Sequence, residues 1–309
     1  MEFLRILEGI RSPALSAFMA AVTKLGDETV FMVIAIALFW CVSKRQGYYV
    51  FAVGLGGTAL NQWLKLIFRI PRPWVLDPNF TIVESARAAA AGYSFPSGHT
   101  QNIVGTMGCV ALSNRQRWLR AVCVALMLLV PFSRMYLGVH TPLDVGVSFV
   151  LAAALALALR PFFRDDERFR AAALPALAAL LALTLAYTVW VHAANFPADV
   201  DPENLNSGVK NAWTLLGCIL GLLVSWLADS KKLHFDEQAP LLGQACKLAL
   251  GLALLLAIRA GLKPALNALS GGALWTNAVR YFAMVVFAGC VWPMTFPFFA
   301  RLGAKKPVA

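Results

Sequence analysis

Residues 118–144 read WLRAVCVALMLLVPFSRMYLGVHTPLD. The run from Trp118 to about Leu137 is apolar over the roughly 20 residues that a helix needs to cross a bilayer. It ends on Ser133 and Arg134, and an ionisable residue at a membrane helix end is costly unless it has a task. Thr141–Pro142–Leu143–Asp144 then has the form of a helix start, with Thr at the cap, Pro at the first helical position and Asp in the first turn. That start opens a second apolar run, 142–160, and puts His140 one helical turn before Asp144. Two spans joined by a short, chemically dense turn predict an all-α, polytopic membrane bundle.

The rest of the chain agrees. Of its 309 residues, 59% are hydrophobic and 14% charged, which excludes an ordinary soluble protein. Nine spanning segments are expected, near 29–44, 48–70, 95–113, 118–137, 142–160, 171–193, 208–228, 243–262 and 274–298. Ahead of them, Phe3, Leu4, Ile6, Leu7, Ile10, Phe18, Met19 and Val22 recur at mostly three- and four-residue spacing. They predict an amphipathic helix lying at the interface, with a partly inserted helix as the alternative. Residues 1–25 lack the compact apolar core of a cleavable signal peptide and carry Glu2, Arg5, Glu8, Arg11 and Lys24. The expected organisation is an interfacial helix over 1–28, a core over 29–165 and a four-helix membrane extension over 166–309.

The net charge of +11 does not point to nucleic acid, because Lys and Arg gather in alternate connections between spans. Lys44/Arg45, Asn114–Arg120, Arg160–Arg170, Asp229–Gln238 and the tail Arg301–Lys306 are basic, whereas His192–Ser207 has three acidic residues and no Lys or Arg. Arg259 and Lys263 soften the contrast in the penultimate loop. The positive-inside rule then puts the C-terminus in the cytoplasm, and the compact loops suit a bacterial inner membrane. The six cysteines form no CxxC or Cys/His pattern, so no disulfide framework, metal or other cofactor is expected.

On this topology three blocks emerge on one side, the extracytoplasmic one: Lys65 to Pro73, Pro96 to His99, and Ser133–Arg134 with His140 and Asp144. Phosphoryl transfer needs positioning and positive charge around the equatorial oxygens. Lys65, Arg72 and Arg134 supply that charge. Pro96–Ser97–Gly98 reads as a helix start with free N–H groups for a phosphate oxygen, and Gly98 lets the backbone approach closely. Asp144 is placed to take the Nδ1 proton of His140 and leave Nε2 as a nucleophile; His99 suits a general acid and later a base.

K-x6-RP, PSGH and SR-x5-H-x3-D resemble the signature of the type 2 phosphatidic acid phosphatase (lipid phosphate phosphatase) superfamily, which includes glucose-phosphate phosphatases and vanadium haloperoxidases. Four specified residues at fixed spacing arise by chance at about 1 in 10⁵ starting points. The resemblance covers about residues 50–160 and implies metal-independent hydrolysis of a phosphomonoester or diphosphate through phosphohistidine. It implies His140 as nucleophile, His99 as acid, and Lys65, Arg72, Arg134, Ser97 and Gly98 as phosphate ligands. The site lies at headgroup level, so the substrate expected is a lipid phosphate or polyprenyl diphosphate. Phosphatidic acid, phosphatidylglycerol phosphate, undecaprenyl diphosphate, a sphingoid phosphate and lipid A all stay open. A phosphotransferase with a lipid or sugar acceptor, a sugar-phosphate phosphatase and a transporter are the alternatives.

Other residues are read more plainly. His192 and His234 are structural, and Arg69 is an interfacial or rim cation. Trp74 and Asp77 line the entrance or belong to an interfacial belt. Segment 78–94 is long enough to cover the site, but Ala88–Ala91 offers no chemistry. Asp199, Asp201 and Glu203 lack the spacing of a dedicated cation loop.

Overall fold

The computed structural model describes residues 1–198 and 200–303, and no strand occurs among them. Asp199 of the acidic loop and Lys305 and Lys306 of the basic tail lie outside the described residues. The helices in chain order are α1 Glu2–Gly9, α2 Pro13–Thr23, α3 Glu28–Cys41, α4 Lys44–Phe68, the single turn α5 Pro73–Leu76, α6 Gly98–Ser113, α7 Arg117–Tyr136, α8 Pro142–Leu159, α9 Asp166–Ala193, α10 Pro202–Ala228, α11 Leu241–Ser270, α12 Thr276–Val286 and α13 Phe296–Arg301. α12 continues through a π turn and a 3₁₀ turn into α13 as one irregular rod.

Among the described residues, six helices are long and apolar enough to cross a membrane: α7, α8, α9, α10, α11 and the α12–α13 rod. The other three expected spans are helices of another kind. α3 has 14 residues and α6 has 16, short of the roughly 20 a crossing needs. α4 has the length but is polar, carrying Lys44, Arg45, Asn61, Gln62 and Lys65. Residues 77–97 are largely irregular, so α6 begins only at Gly98. Irregular backbone at membrane depth is tolerated where protein surrounds it.

α6 is the central post, packed against α4, α7, α8 and α3. Val22, Ile103, Val104, Met107, Cys123, Val130 and Ala152 form the core between α2, α6, α7 and α8. A larger, aromatic-rich core joins α3 and α4 to α9–α13 through Trp40, Tyr48, Phe169, Trp292 and Phe296. α10 lies closest to α12, because a Cβ on Gly217 would overlap the Ala278 carbonyl oxygen. Outward faces of α7, α8 and α11 expose Leu128, Val150, Leu157, Leu250 and Leu254, as helices facing hydrocarbon do. Lys247, the fully buried cation of α11, donates to the Glu237 carbonyl at 2.9 Å and lies over the Phe296 ring.

The N-terminal segment departs from the expected interfacial helix. Ser12 caps a new helix at Pro13 and splits the segment in two. Leu4, Leu7, Met19 and Val22 are buried, whereas Phe3, Ile6, Ile10 and Phe18 face outward. Its charges also bind the protein: Arg5 pairs with Asp77 at 2.5 Å, Glu8 accepts from the Thr81 amide at 2.8 Å, and Arg11 donates to the Tyr136 carbonyl at 3.0 Å. The pair of helices therefore straps residues 77–81 across the end of α7, and Asp77 belongs to this strap.

Candidate active site

Each block is shaped by local rules. α4 ends on Arg69 in the left-handed region, and Arg72 sits extended between two prolines, the second at the first position of α5. Gly138, at φ +82, turns the chain after α7 where a Cβ would press on Phe80 and Arg11. Thr141 and Asp144 cap α8 reciprocally: the Asp144 amide donates to Thr141 Oγ1 at 3.3 Å, and the Thr141 amide donates to Asp144 Oδ2 at 2.7 Å. Ser97 caps α6 by accepting from the Thr100 amide, and its own amide donates to the Asp144 carbonyl at 3.2 Å. The starts of α6 and α8 are thus bonded to each other.

This brings the three blocks together. His140 and Asp144 are both 1% exposed, and His140 Nδ1 lies 3.5 Å from Asp144 Oδ2. The same carboxylate oxygen accepts from Ser94 Oγ at 2.6 Å. Arg72 Nη1 lies 2.9 Å from His140 Nε2 and donates to the Val139 carbonyl at 2.9 Å. The same Nη1 is 3.4 Å from Nδ1; arginine has no acceptor and Asp144 has no proton to give, so the tautomer with the proton on Nδ1 and the lone pair on the nearer Nε2 satisfies both neighbours. Burial, then Arg72, Arg134 and Lys65 in turn, hold the His140 pKa well below the ordinary imidazole range. His140 is accordingly a neutral imidazole whose Nε2 accepts from Arg72.

The cations are seated by main-chain oxygens. Arg72 donates from Nε to Gly92 O and from Nη2 to Ala91 O, both at 3.0 Å. Lys65 Nζ donates to the Tyr93 carbonyl, and Arg134 Nη2 reaches Ala89 O at 3.5 Å. Segment 89–93 thus supplies a row of carbonyls where the sequence offered no chemistry; small side chains let the backbone pass close to the charges. Arg134 Nη1 also donates to Thr23 Oγ1 at 2.9 Å. Burial lowers the Arg72 pKa to about 10, so it stays charged at neutral pH.

His99 stands at the half-buried rim beside Gly98, and a Cβ on Gly98 would meet nothing within 4 Å. His99 Nε2 lies 2.9 Å from Asp27 Oδ1. Asp27 precedes α3, and the bond from His99 is the main cause holding its carboxyl below the ordinary range. Among the expected phosphate ligands, the Ser97 amide is taken by Asp144, leaving the Gly98 and His99 amides at the helix start. Ser133 turns away, donating to the Val130 carbonyl at 2.6 Å. Thr23, Asp27 and Ser94 escaped the sequence reading. Asp27 had a signal, Gly-Asp before an apolar run, but that pattern also describes an ordinary helix cap. His192 bonds the Thr188 carbonyl at 2.8 Å and packs on Trp213, and His234 ends a π turn.

The model of the PAP2 superfamily matches residues 45–168, and that of the PAP2 superfamily phosphatase transmembrane extension matches 213–306. The chain carries a PAP2 superfamily domain and the superfamily's transmembrane extension. It is 31% identical over 128 residues to undecaprenyl-diphosphatase BcrC of Bacillus subtilis, covering 41% of this chain and 62% of that one. It is 26% identical over 155 residues to an undecaprenyl-diphosphatase of Sulfolobus acidocaldarius, covering 50% and 73%. Phosphatidylglycerophosphatase B of B. subtilis is 27% identical over 176 residues, covering 52% and 81%. The crystal structure of Aquifex aeolicus LpxE aligns at a TM-score of 0.44 with 25% identity, covering 51% of this chain and 92% of that one.

Proposed function

We propose that this chain is a multi-pass membrane phosphatase that hydrolyses a lipid phosphate or polyprenyl diphosphate through a phosphohistidine on His140. The observation that carries the reading is the His140 ring, with Nδ1 toward Asp144 and Nε2 against the guanidinium of Arg72. A phosphoryl group held by Arg72, Lys65 and Arg134 is met in line by that nitrogen. The match to two undecaprenyl-diphosphatases and a phosphatidylglycerophosphatase supports an amphiphilic substrate.

In the first step Arg72 Nη1 turns from Nε2 to a phosphoryl oxygen, and the freed lone pair forms a P–N bond while the ester or anhydride P–O bond breaks. The leaving oxygen takes a proton from His99 Nδ1, because His99 Nε2 is bound to Asp27. Asp144 and the Ser94 hydroxyl keep the charged His140 ring in orientation. In the second step His99 takes a proton from water, the water oxygen bonds to phosphorus, and the P–N bond breaks. Inorganic phosphate leaves and His140 is again neutral. No metal is given a step.

The domain scheme of 1–28, 29–165 and 166–309 belongs to this reading, as do nine crossings that include the short α3 and α6. Positive-inside charge favours an extracytoplasmic site in the inner membrane and a cytoplasmic C-terminus. Phosphate release by the purified protein in detergent, with EDTA, from a panel of lipid phosphates and glucose phosphate tests the function. Rapid quenching should give acid-labile, protein-bound phosphate that His140→Ala lacks. Release that survives that substitution, or that EDTA abolishes, refutes the mechanism.

A further inference from the structure

Arg259 and Lys263 break the charge alternation, and their surroundings give a reason. The start of α10, the end of α11 and the start of α12 enclose a cavity of about 160 Å³. Its polar lining is Lys210, Lys263, Asn267, Thr276, Asn277 and Arg280, with no carboxylate. Arg280 is 8% exposed; its Nη2 donates to Asn277 Oδ1 at 3.0 Å, and its Nε has no partner among the described residues. A buried guanidinium N–H left unpaired is costly, and an anion is the group that satisfies it.

The carboxylate whose field meets these cations is Glu28, which feels Arg259, Lys210 and Arg280. Three cations therefore act on one acid. Glu28 follows Asp27, the partner of His99, and Ser207 of α10 lies beside Gly92 of the Arg72 cradle. The cavity therefore opens at the same end of the bundle as His140. Beyond Glu28 an apolar cleft of about 60 Å³ runs inward past Phe31, Leu255, Tyr281 and Met284. Tyr281 lines the cleft and carries Arg280 of the cavity over its ring.

We propose that Lys210, Lys263 and Arg280 form a second phosphate-binding site, in the membrane extension, that holds the phosphate of a lipid headgroup beside the catalytic site. A cationic mouth over an apolar cleft matches an amphiphile, and the bonding groups are those that recognise phosphate from any source. The site shares no residue with the histidine machinery, so it stands whether or not His140 is the nucleophile.

The test is native mass spectrometry of the full chain in detergent, titrated with phosphatidylglycerol and, in parallel, with inorganic phosphate. One phosphatidylglycerol should stay bound in the wild type and in His140→Ala. Lys210→Gln/Lys263→Gln should weaken it about tenfold, as should Arg280→Gln. Lys210 and Lys263 are exposed, so the double variant should melt where the wild type does and separates lost binding from lost folding. Displacement of the lipid by phosphate supports a site for the phosphate group; lipid that phosphate fails to displace supports one built for the whole amphiphile. Equal lipid retention by the wild type and the double variant overturns the proposal, as does phosphate binding with no lipid retained.

Discussion

Asp27→Asn separates a positioning carboxylate from an ordinary helix cap. The amide keeps a hydrogen bond to His99 Nε2 but removes the negative charge that favours the imidazolium His99 must be when it protonates the leaving oxygen. A hydrogen bond to a charged group contributes about 1.5–3 kcal/mol. The Asp27 side chain is 41% exposed, and solvent screening brings the figure down to about 1 kcal/mol. The expected loss is about fivefold in the rate of phosphoenzyme formation. KM should hold, because Asp27 makes no hydrogen bond to Lys65, Arg72 or Arg134. The assay is single-turnover phosphoenzyme formation with an alkyl phosphate and with a nitrophenyl phosphate, whose phenolate leaves without a proton. The deficit should appear with the first substrate and vanish with the second. In a His99→Gln background, Asp27→Asn should have no further effect. An equal loss on both substrates, or an additive one in the double variant, would refute the coupling and leave Asp27 a cap of α3.

Arg72→Lys should abolish measurable turnover while the protein still folds, a drop of at least about 100-fold. An ammonium cannot hold Gly92 O, Ala91 O and Val139 O and also face His140 Nε2; activity within tenfold of wild type would show that charge alone suffices. The His140 pKa, depressed by burial and by the facing cations, makes a pH signature. The unfolded chain takes up a proton below about pH 6.5 and the folded chain does not, so stability should fall as pH drops below that value and stay flat above it. The slope from this residue is up to roughly 1.4 kcal/mol per pH unit. Melting in detergent across pH 4–8 should lose that component in His140→Gln, and an unchanged pH dependence would count against a neutral buried ring.

The long apolar helices and the three polar blocks were legible because each has a strong local signature: about 20 apolar residues, a Pro-flanked arginine, a Thr-Pro-x-Asp helix start. The reciprocal cap of Thr141 and Asp144 could be read letter by letter. What escaped was held by backbone or by distant contacts. Ala89, Ala91, Gly92 and Tyr93 act through carbonyl oxygens, which no side-chain pattern advertises. Asp27 and His99 are 72 residues apart, and Thr23 and Arg134 are 111 apart. Each member alone reads as a cap or a helix-end residue. The N-terminal segment misled for a related reason: its apolar residues divide between two faces, and the periodicity does not say that one face meets Phe80 while the other faces outward.

The carbonyl row also bears on why such a site persists unliganded. Lys65, Arg72 and Arg134 are each under 10% exposed, and among them lies the buried carboxylate of Asp144 beside His140. Bringing three like charges into a low-dielectric space with one counter-charge is unfavourable unless dipoles compensate. The carbonyls of residues 89–93 and 139 do this without neutralising the cations, whereas additional carboxylates would have cancelled the charge the site needs. Main-chain seating fixes the cations geometrically, so little reorganisation accompanies charge development on the phosphoryl oxygens. It follows that side-chain changes at the exposed Ala88, Ala89 and Ala91 should be tolerated and backbone change punished: Ala91→Pro should disable the site more than any polar side chain placed there.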